Sequence, residues 1–168
     1  GTKIHADASK SHAVSYKRLG ELEVQLRQEV QELMTLGETA DQGDLVLPEG
    51  LVIVDEIARR QERLANLAQA KAVLEARAEE RYAAEQAEYE ATMRRRQEQL
   101  RRTKRKPGGR APKPPRPGAR DNDQYNFTDP DSRIMKDGAT KSYVQAYNAQ
   151  AAVDGTAQVI VAGTVIQE

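Results

Sequence analysis

The chain of 168 residues has no cysteine, no tryptophan and only one phenylalanine. The lack of cysteine excludes disulfides and thiolate metal sites. Few large apolar side chains, 31% charged residues and a mean hydropathy well below zero are typical of long solvated helices and flexible tails. No apolar run is long enough for a membrane span or a signal peptide. We therefore expect a soluble, intracellular protein without a membrane partner.

The chain also lacks the patterns of common catalytic and cofactor sites. It has no P-loop, no Rossmann glycine pattern and no Ser/His/Asp constellation, and a small-molecule substrate is not expected. His5, His12 and Asp7 offer too few ligands for a metal site. The acids between residues 121 and 131 lack the regular spacing and later Glu of an EF-hand. We predict neither a catalytic nor a metal site within the chain.

The formal net charge of zero hides a strong segregation of charge. Between residues 94 and 120 there are 12 Lys or Arg residues against one acid, Glu98, which gives a local balance of +11. Phosphate neutralisation requires dense cations without exact spacing, so this segment predicts binding to nucleic acid. Few aromatic residues interleave, which argues against base stacking as the main mode. The alternative is a solvated helix end, because cations are favourable near a helix C-terminus.

The residues predicted to bind DNA share a position near the end of the second predicted helix or in the linker after it. They are Arg94, Arg95, Arg96, Arg101, Arg102, Lys104, Arg105, Lys106, Arg110 and Lys113.

Apolar residues at three- and four-residue steps predict two helices. The first spans residues 15–36 and is ended by Gly37 and a connector rich in glycine and acids. The second spans residues 54–106, which corresponds to about 75 Å. The apolar stripes are Leu19, Leu22, Leu26, Val30 and Leu33 in the first helix, and Ile57, Leu64, Leu67, Leu74 and Ala78 in the second.

These stripes predict an antiparallel helical hairpin in which the shorter helix covers only the first half of the longer one. A coiled-coil dimer is the competing interpretation. Lys71 and Glu85 fall where a regular heptad requires apolar residues, so the hairpin is favoured. Pro107 then ends the second helix. The basic, Pro/Gly-rich segment that follows cannot bury a core, and it predicts an extended, disordered linker.

The segment Tyr143–Glu168 is rich in β-branched and small apolar residues and predicts a β-hairpin. Asp154-Gly155 is the expected turn, because Asp-Gly suits a turn with two positive φ angles. The second strand is apolar on both faces and should be covered on both sides. The first strand is leaner and is expected nearer an edge. Since an isolated hairpin is marginal in water, its partner strands are expected to come from outside these residues.

Two stretches resemble bacterial insertion-sequence transposases of the DDE class. They are GTKIHADASKSHAVSY at Gly1–Tyr16, and FTDPDSRIMKDG followed by YVQAYNAQAAVDGTAQVIVAGTV, at Phe127–Val165. The resemblance implies an RNase H-like fold. It makes the segment that begins at Gly1 the first strand and the hairpin at Asp154 the second and third strands. The helices then form an insertion between the first and second strands.

The resemblance also implies a chemistry for the intact parent protein. In this family three acids hold two Mg²⁺ ions that drive hydrolysis and transfer of a DNA phosphodiester. The first acid normally precedes the Gly-Thr-Lys that corresponds to Gly1–Lys3, and the other two follow the hairpin. We therefore expect the chain to be an internal fragment without catalytic acids or bound metal, inactive on its own. The resemblance places the parent in the bacterial cytoplasm, with DNA or another subunit against the basic helix end.

The prediction is thus an α+β fragment of a DDE transposase in four parts. Residues 1–14 form a strand end and loop, residues 15–106 the helical hairpin, residues 107–124 the basic linker, and residues 125–168 a turn region and the β-hairpin. A non-enzymatic coiled-coil protein that binds nucleic acid through its basic helix end is the alternative. A helical spacer without any nucleic-acid role is a third interpretation.

Overall fold

The computed structural model describes residues 2–43, 47–48, 50–138, 141–156 and 159–166. Parts of the predicted interhelical connector and of the predicted β-hairpin, together with Gly1, lie outside these residues. The fold is α+β, with two helices and two antiparallel sheets. The helices are α1 (Tyr16–Asp41) and α2 (Ile53–Thr103), and the strands are β1 (Thr2–His5), β2 (Ala13–Ser15), β3 (Gln124–Asn126), β4 (Arg133–Lys136), β5 (Tyr143–Val153) and β6 (Ile160–Ile166).

Helices α1 and α2 form the predicted antiparallel hairpin. The apolar stripes meet in a core that includes Leu19, Leu26 and Leu74. Two ion pairs cross between the helices: Lys71 Nζ lies 2.7 Å from a Glu23 carboxylate oxygen, and Arg60 Nε lies 2.9 Å from Glu29. Lys71, which interrupts the heptad pattern, is therefore used in an ion pair between the two helices of one chain.

The C-terminal ends of both helices differ from the predicted positions. Helix α1 continues through Gly37 to Asp41, because a glycine inside a helix costs only about 1 kcal/mol relative to alanine. The helix instead stops before Gly43, whose φ of 83° is the left-handed conformation typical of a helix C-terminus. Helix α2 ends at Thr103 rather than residue 106, since Lys104 adopts a φ of 56°. Lys104, Arg105 and Lys106 therefore lie beyond the helix.

Strand β5 is the central strand of the larger sheet, which corrects two predictions. It pairs antiparallel with β1 on one side, Thr2 opposite Ala149, and with β4 and β6 on the other. The hairpin therefore has partners within the chain, and its first strand is not an edge strand. Strand β1 coincides with the strand end predicted at the start of the chain, whereas β4 has too few residues to show a period of two, which explains why the sequence pattern did not reveal it.

The β5–β6 hairpin is present, but its turn and its burial differ from the predictions. The backbone N–H of Asp154 donates to the Val159 carbonyl at 2.9 Å, so the loop is longer than an Asp-Gly turn. Gly155 is not among the glycines with positive φ in the described residues. Every residue of β6 is exposed, including Ile160 at 67% and Val161 at 66%. The cover predicted for both faces of this strand is not provided by the described part of the chain.

A second, two-stranded sheet joins the turn region to the helical hairpin. Strands β2 and β3 pair with Val14 opposite Tyr125, and Tyr125 is buried in the core of the helical hairpin. Ser15 caps α1 by accepting the Arg18 N–H at 3.3 Å. The predicted loop before α1 and the predicted turn region thus each contain a short strand. Within the residues described above, neither helix combines the length and the apolar character needed to cross a membrane.

Candidate nucleic-acid interface

The end of α2 extends beyond α1. Tyr16, the first residue of α1, donates its hydroxyl to Glu75 at 2.7 Å, and this contact marks where the two helices part. The last buried residue of α2 is Ala78. The remaining part of the helix, to Thr103, carries the arginines that the sequence predicted to bind DNA. We call residues 94–106 the basic tip.

The cations of the basic tip are solvent-accessible and not neutralised by ion pairs. Nine of the ten predicted residues are exposed, and only Arg96 is half-buried. Among the described residues, none of the ten forms an ion pair with a carboxylate within 4.0 Å. Elsewhere in the chain, eight cations do form such pairs: Arg18, Arg27, Arg59, Arg60, Lys71, Arg77, Arg81 and Arg120.

Four arginines of the basic tip share one face of α2. At about 100° per residue, Arg94, Arg95, Arg101 and Arg102 fall within an arc of about 120°. Glu98 lies in the middle of the same arc, where it reduces the charge of this face but pairs with none of the four arginines within the described residues. The face therefore presents four guanidinium groups against one carboxylate. This arrangement matches the spacing-tolerant electrostatics of phosphate binding.

Arg96 lies outside this arc and contacts the linker instead. Its guanidinium donates to the carbonyls of Gly108, Gly109 and Pro107 at 3.2, 3.3 and 3.4 Å, respectively. These carbonyls belong to the turn through which the chain reverses after α2, and Gly109 has a φ of 77° there. Arg96 therefore ties the start of the linker to α2 in this structure, and its predicted contact with DNA stays a prediction.

The basic linker runs back along α2 and is anchored at its far end. Arg120 pairs with Glu85 at 2.8 Å, and Arg81 donates both terminal nitrogens to Asp123, at 2.9 and 3.1 Å. Lys113 and neighbouring prolines line a cleft of about 250 Å³ against α2. Residues 107–123 of the linker form no helix or strand, and its last residue, Gln124, begins β3. In the structure these side chains hold the linker along the helix.

Asp123 is the electrostatic anchor of the linker. Burial opposes its charge, but hydrogen bonds from Arg81 and from the backbone N–H of Arg120 outweigh that effect and hold the pKa of Asp123 below its usual value. The Asp123 carboxylate is therefore charged at neutral pH. Sequence patterns did not reveal this contact, since Arg81 and Asp123 are far apart in the chain and only the reversal after α2 brings them together.

The DPDSR motif forms a hydrogen-bonded turn. Asp129 accepts the Asp131 and Ser132 backbone N–H groups, and its second carboxylate oxygen accepts the Tyr147 hydroxyl at 2.5 Å. Ser132 donates to the Asp129 carbonyl at 2.8 Å. Arg133 donates to three carbonyls of the turn itself. The residues that carry the family resemblance here are thus residues that hold β4 against β5.

The described residues contain no group of three or more His, Cys, Asp or Glu side chains arranged to hold a metal ion. His12 bonds Thr128 at 2.8 Å through Nδ1. Asp129 accepts hydrogen bonds within the turn, and Asp123 pairs with Arg81 at the end of the linker.

Comparison with known proteins gives no family for this chain. No protein-family model, no curated protein and no solved structure matches it.

Proposed function

We propose that the chain binds the phosphate backbone of DNA through the basic tip. The observation that carries the proposal is the difference in pairing between the two parts of the chain. Eight cations elsewhere form ion pairs, whereas the four arginines on one face of the tip have no ion-pair partner among the described residues. A protein without net charge that keeps these arginines together is suited to a polyanion at that one place.

The linker carries further positive charge back along α2 from the tip. Because Arg96 holds the turn after α2, Arg110 directly follows this turn and Lys113 lies beside α2, near Tyr89 and Thr92, instead of at the end of a free tail. The side chains of Arg110 and Lys113 are exposed. We infer that the helix face and the linker together contact successive phosphates, without reading base sequence, since few aromatic groups are present for stacking.

The test is a charge-matched pair of variants. R94Q/R95Q/R101Q/R102Q removes the face of the tip, and R18Q/R27Q/R59Q/R63Q removes the same charge from the body of the helical hairpin. With a generic DNA duplex at low salt, the tip variant should bind about two orders of magnitude more weakly than the wild type. The control variant should bind within about threefold of the wild type. Equal losses in the two variants would overturn the proposal, because net charge alone would then explain binding.

We further propose that the chain is part of a DDE transposase with an RNase H-like catalytic domain. The resemblance makes β1, β5 and β6 the first three strands. These strands lie side by side in the order β1-β5-β6, all antiparallel, although the helical hairpin separates β1 from β5 in the sequence. That proximity supports the proposal. The basic tip would then extend the DNA-binding surface of the parent beyond its catalytic sheet.

The intact parent would carry out metal-dependent phosphodiester hydrolysis and strand transfer, with Mg²⁺ supplied to acids other than those described above. The coding DNA on either side tests this proposal. An in-frame Asp codon directly before Gly1 and a later Asp and Glu pair in the same frame would support it. Stop codons on both sides would contradict it in favour of a separate DNA-binding protein.

A further inference from the structure

The end of the β5–β6 hairpin projects from the sheet as an exposed arm. Ala151–Val153 of β5 and all of β6 are exposed, whereas Ala146, in the part of β5 that pairs with β1 and β4, is fully buried. We call residues 151–153 and 160–164 the hairpin arm, because Val165 and Ile166 at the end of β6 pair with the part of β5 beside β1. Two strands alone are marginally stable in water, so an arm of this kind requires additional contacts.

Strand β6 has none of the features that normally protect an edge strand. It contains no charged residue and no proline, and its exposed side chains include Ile160, Val161, Val165 and Ile166. In the described part of the chain, β6 pairs only with β5, so its other edge has no strand beside it. An uncharged, β-branched edge is a template for pairing with another strand. The absence of charge also excludes a nucleic acid as the partner.

The sequence of β6 is nearly palindromic. Reading outward from Gly163, the strand carries Ala162 and Thr164, then two valines, then two isoleucines. A two-fold axis through Gly163 would therefore place Val161 opposite Val165 of the partner subunit, and Ile160 opposite Ile166 of the partner subunit, in antiparallel pairing. Two-fold symmetric interfaces require this kind of self-complementarity, and β-branched residues opposite each other stabilise a sheet.

We propose that β6 is a homodimerisation strand, which joins two copies of the chain edge to edge around Gly163. The pairing turns two hairpin arms into one continuous sheet and covers the edge of each. Gly163 leaves the axis open, since the nearest atom to a β-carbon built there is the Gln150 carbonyl oxygen of β5, at 3.9 Å. Because only one strand edge is buried, the dimer should be weak and dependent on concentration. The inference does not depend on the DNA-binding proposal.

The experiment is sedimentation of the full chain from micromolar to sub-millimolar concentration. It compares the wild type with three double variants of β6, each of which replaces both valines with charged residues. In V161K/V165K, each lysine would oppose a lysine of the partner subunit, and dimerisation should weaken by at least about tenfold. In V161K/V165E, each lysine would oppose a glutamate, and dimerisation should stay close to that of the wild type. A third variant, V161E/V165E, should dimerise poorly alone but pair with V161K/V165K when the two are mixed.

The charge exchange separates pairing from folding, because V161K/V165K and V161K/V165E disturb the arm to a similar extent. A wild-type chain that remains monomeric over the whole concentration range would overturn the proposal. So would a V161K/V165K variant that dimerises as well as the wild type, since the contact would then lie elsewhere, for example between helices. Equal loss in V161K/V165K and V161K/V165E would also contradict it, because the register around Gly163 predicts opposite results.

Discussion

At the scale of single residues, the motif that prompted the family resemblance has a structural explanation. Asp129 accepts two backbone N–H groups with one carboxylate oxygen and the Tyr147 hydroxyl with the other. A carboxylate whose two oxygens both accept hydrogen bonds in this way stabilises a turn. Tyr147 therefore links the turn to the central strand β5. The motif contributes to the position of β4 in the sheet.

We predict that D129N changes the titration of Tyr147. The hydrogen bond to the Asp129 carboxylate raises the pKa of Tyr147 to about 12. With an amide in its place, this pKa should fall toward its ordinary value of 10.0. Because the folded-state pKa is raised, the stabilisation is present below pH 10 and is lost as the pH rises through about 12.

Carbon-13 labelling of tyrosine rings and NMR titration would measure this pKa, and Y147F identifies the resonance among the six tyrosines. An unchanged Tyr147 pKa in D129N would show that Asp129 is not its partner in solution.

The ion pair between Glu23 and Lys71 gives a prediction about pH. The hydrogen bond from Lys71 holds the pKa of Glu23 below its usual value of 4.5. E23Q should therefore lower the free energy of unfolding by about 0.5–1 kcal/mol at pH 7. A lowered folded-state pKa gives stability that is present above pH 4.5 and is lost as the pH falls through the folded-state pKa.

Urea unfolding of wild type and E23Q at pH 7 and at pH 3 measures the difference in their free energies of unfolding at each pH. This difference should nearly disappear at pH 3. E21Q is a suitable control, because the ion-pair partner of Glu21 in the described part of the chain is Arg18 of its own helix. A difference between wild type and E23Q that is the same at both pH values would contradict an electrostatic origin.

At the scale of elements, the position of the linker along α2 depends on a few side-chain contacts. Arg96 ties the start of the linker to α2, and Arg81 and Arg120 tie its end. We predict that R96A frees the linker, so that trypsin cleaves after Arg110 several times faster than in the wild type. R95A is the matched control, because within the described residues the hydrogen bonds of Arg95 go to Ala91 and Thr92 of its own helix.

The rates can be followed by mass spectrometry at a limiting protease concentration. Equal cleavage of the wild type, R96A and R95A would mean that Arg96 does not hold the linker in solution.

The helical hairpin was predictable from sequence because its signal is periodic and long. Leucines such as Leu19 and Leu74 repeat at helical spacing, and both are buried where the stripes meet. The ends of the helices were less predictable, since Gly37 weakens a helix without ending it. The short strands β2, β3 and β4 were missed because three or four residues do not define a period.

The central position of β5 and the path of the linker depend on contacts between distant residues. The pairing of Thr2 with Ala149 and the hydrogen bonds from Arg81 to Asp123 are examples. Local patterns carry no information about such contacts. The sequence therefore identified the candidate DNA-binding residues, but not the helix face that four of them share or the hydrogen bonds from Arg96 to the linker.

At the scale of the whole molecule, charge and exposed apolar surface lie in different places. The basic tip at the end of α2 carries arginines that have no ion pair within the residues that the structure describes, while the hairpin arm at β6 carries exposed β-branched residues and no charge. The body between them is held by the leucine core and by ion pairs between the helices. The chain is thus organised as a scaffold with one surface suited to a polyanion and another suited to a strand.

The salt dependence of binding to a generic DNA duplex is the most direct test of whether the basic tip binds DNA. We predict a linear fall of the logarithm of the affinity with the logarithm of salt concentration for the wild type. For R94Q/R95Q/R101Q/R102Q the slope should be shallower by about three to four, because each phosphate contact contributes about 0.9. For R18Q/R27Q/R59Q/R63Q the slope should equal that of the wild type. DNA binding by the basic tip would be contradicted if the wild type does not bind at low salt, or if the slope of the tip variant is unchanged.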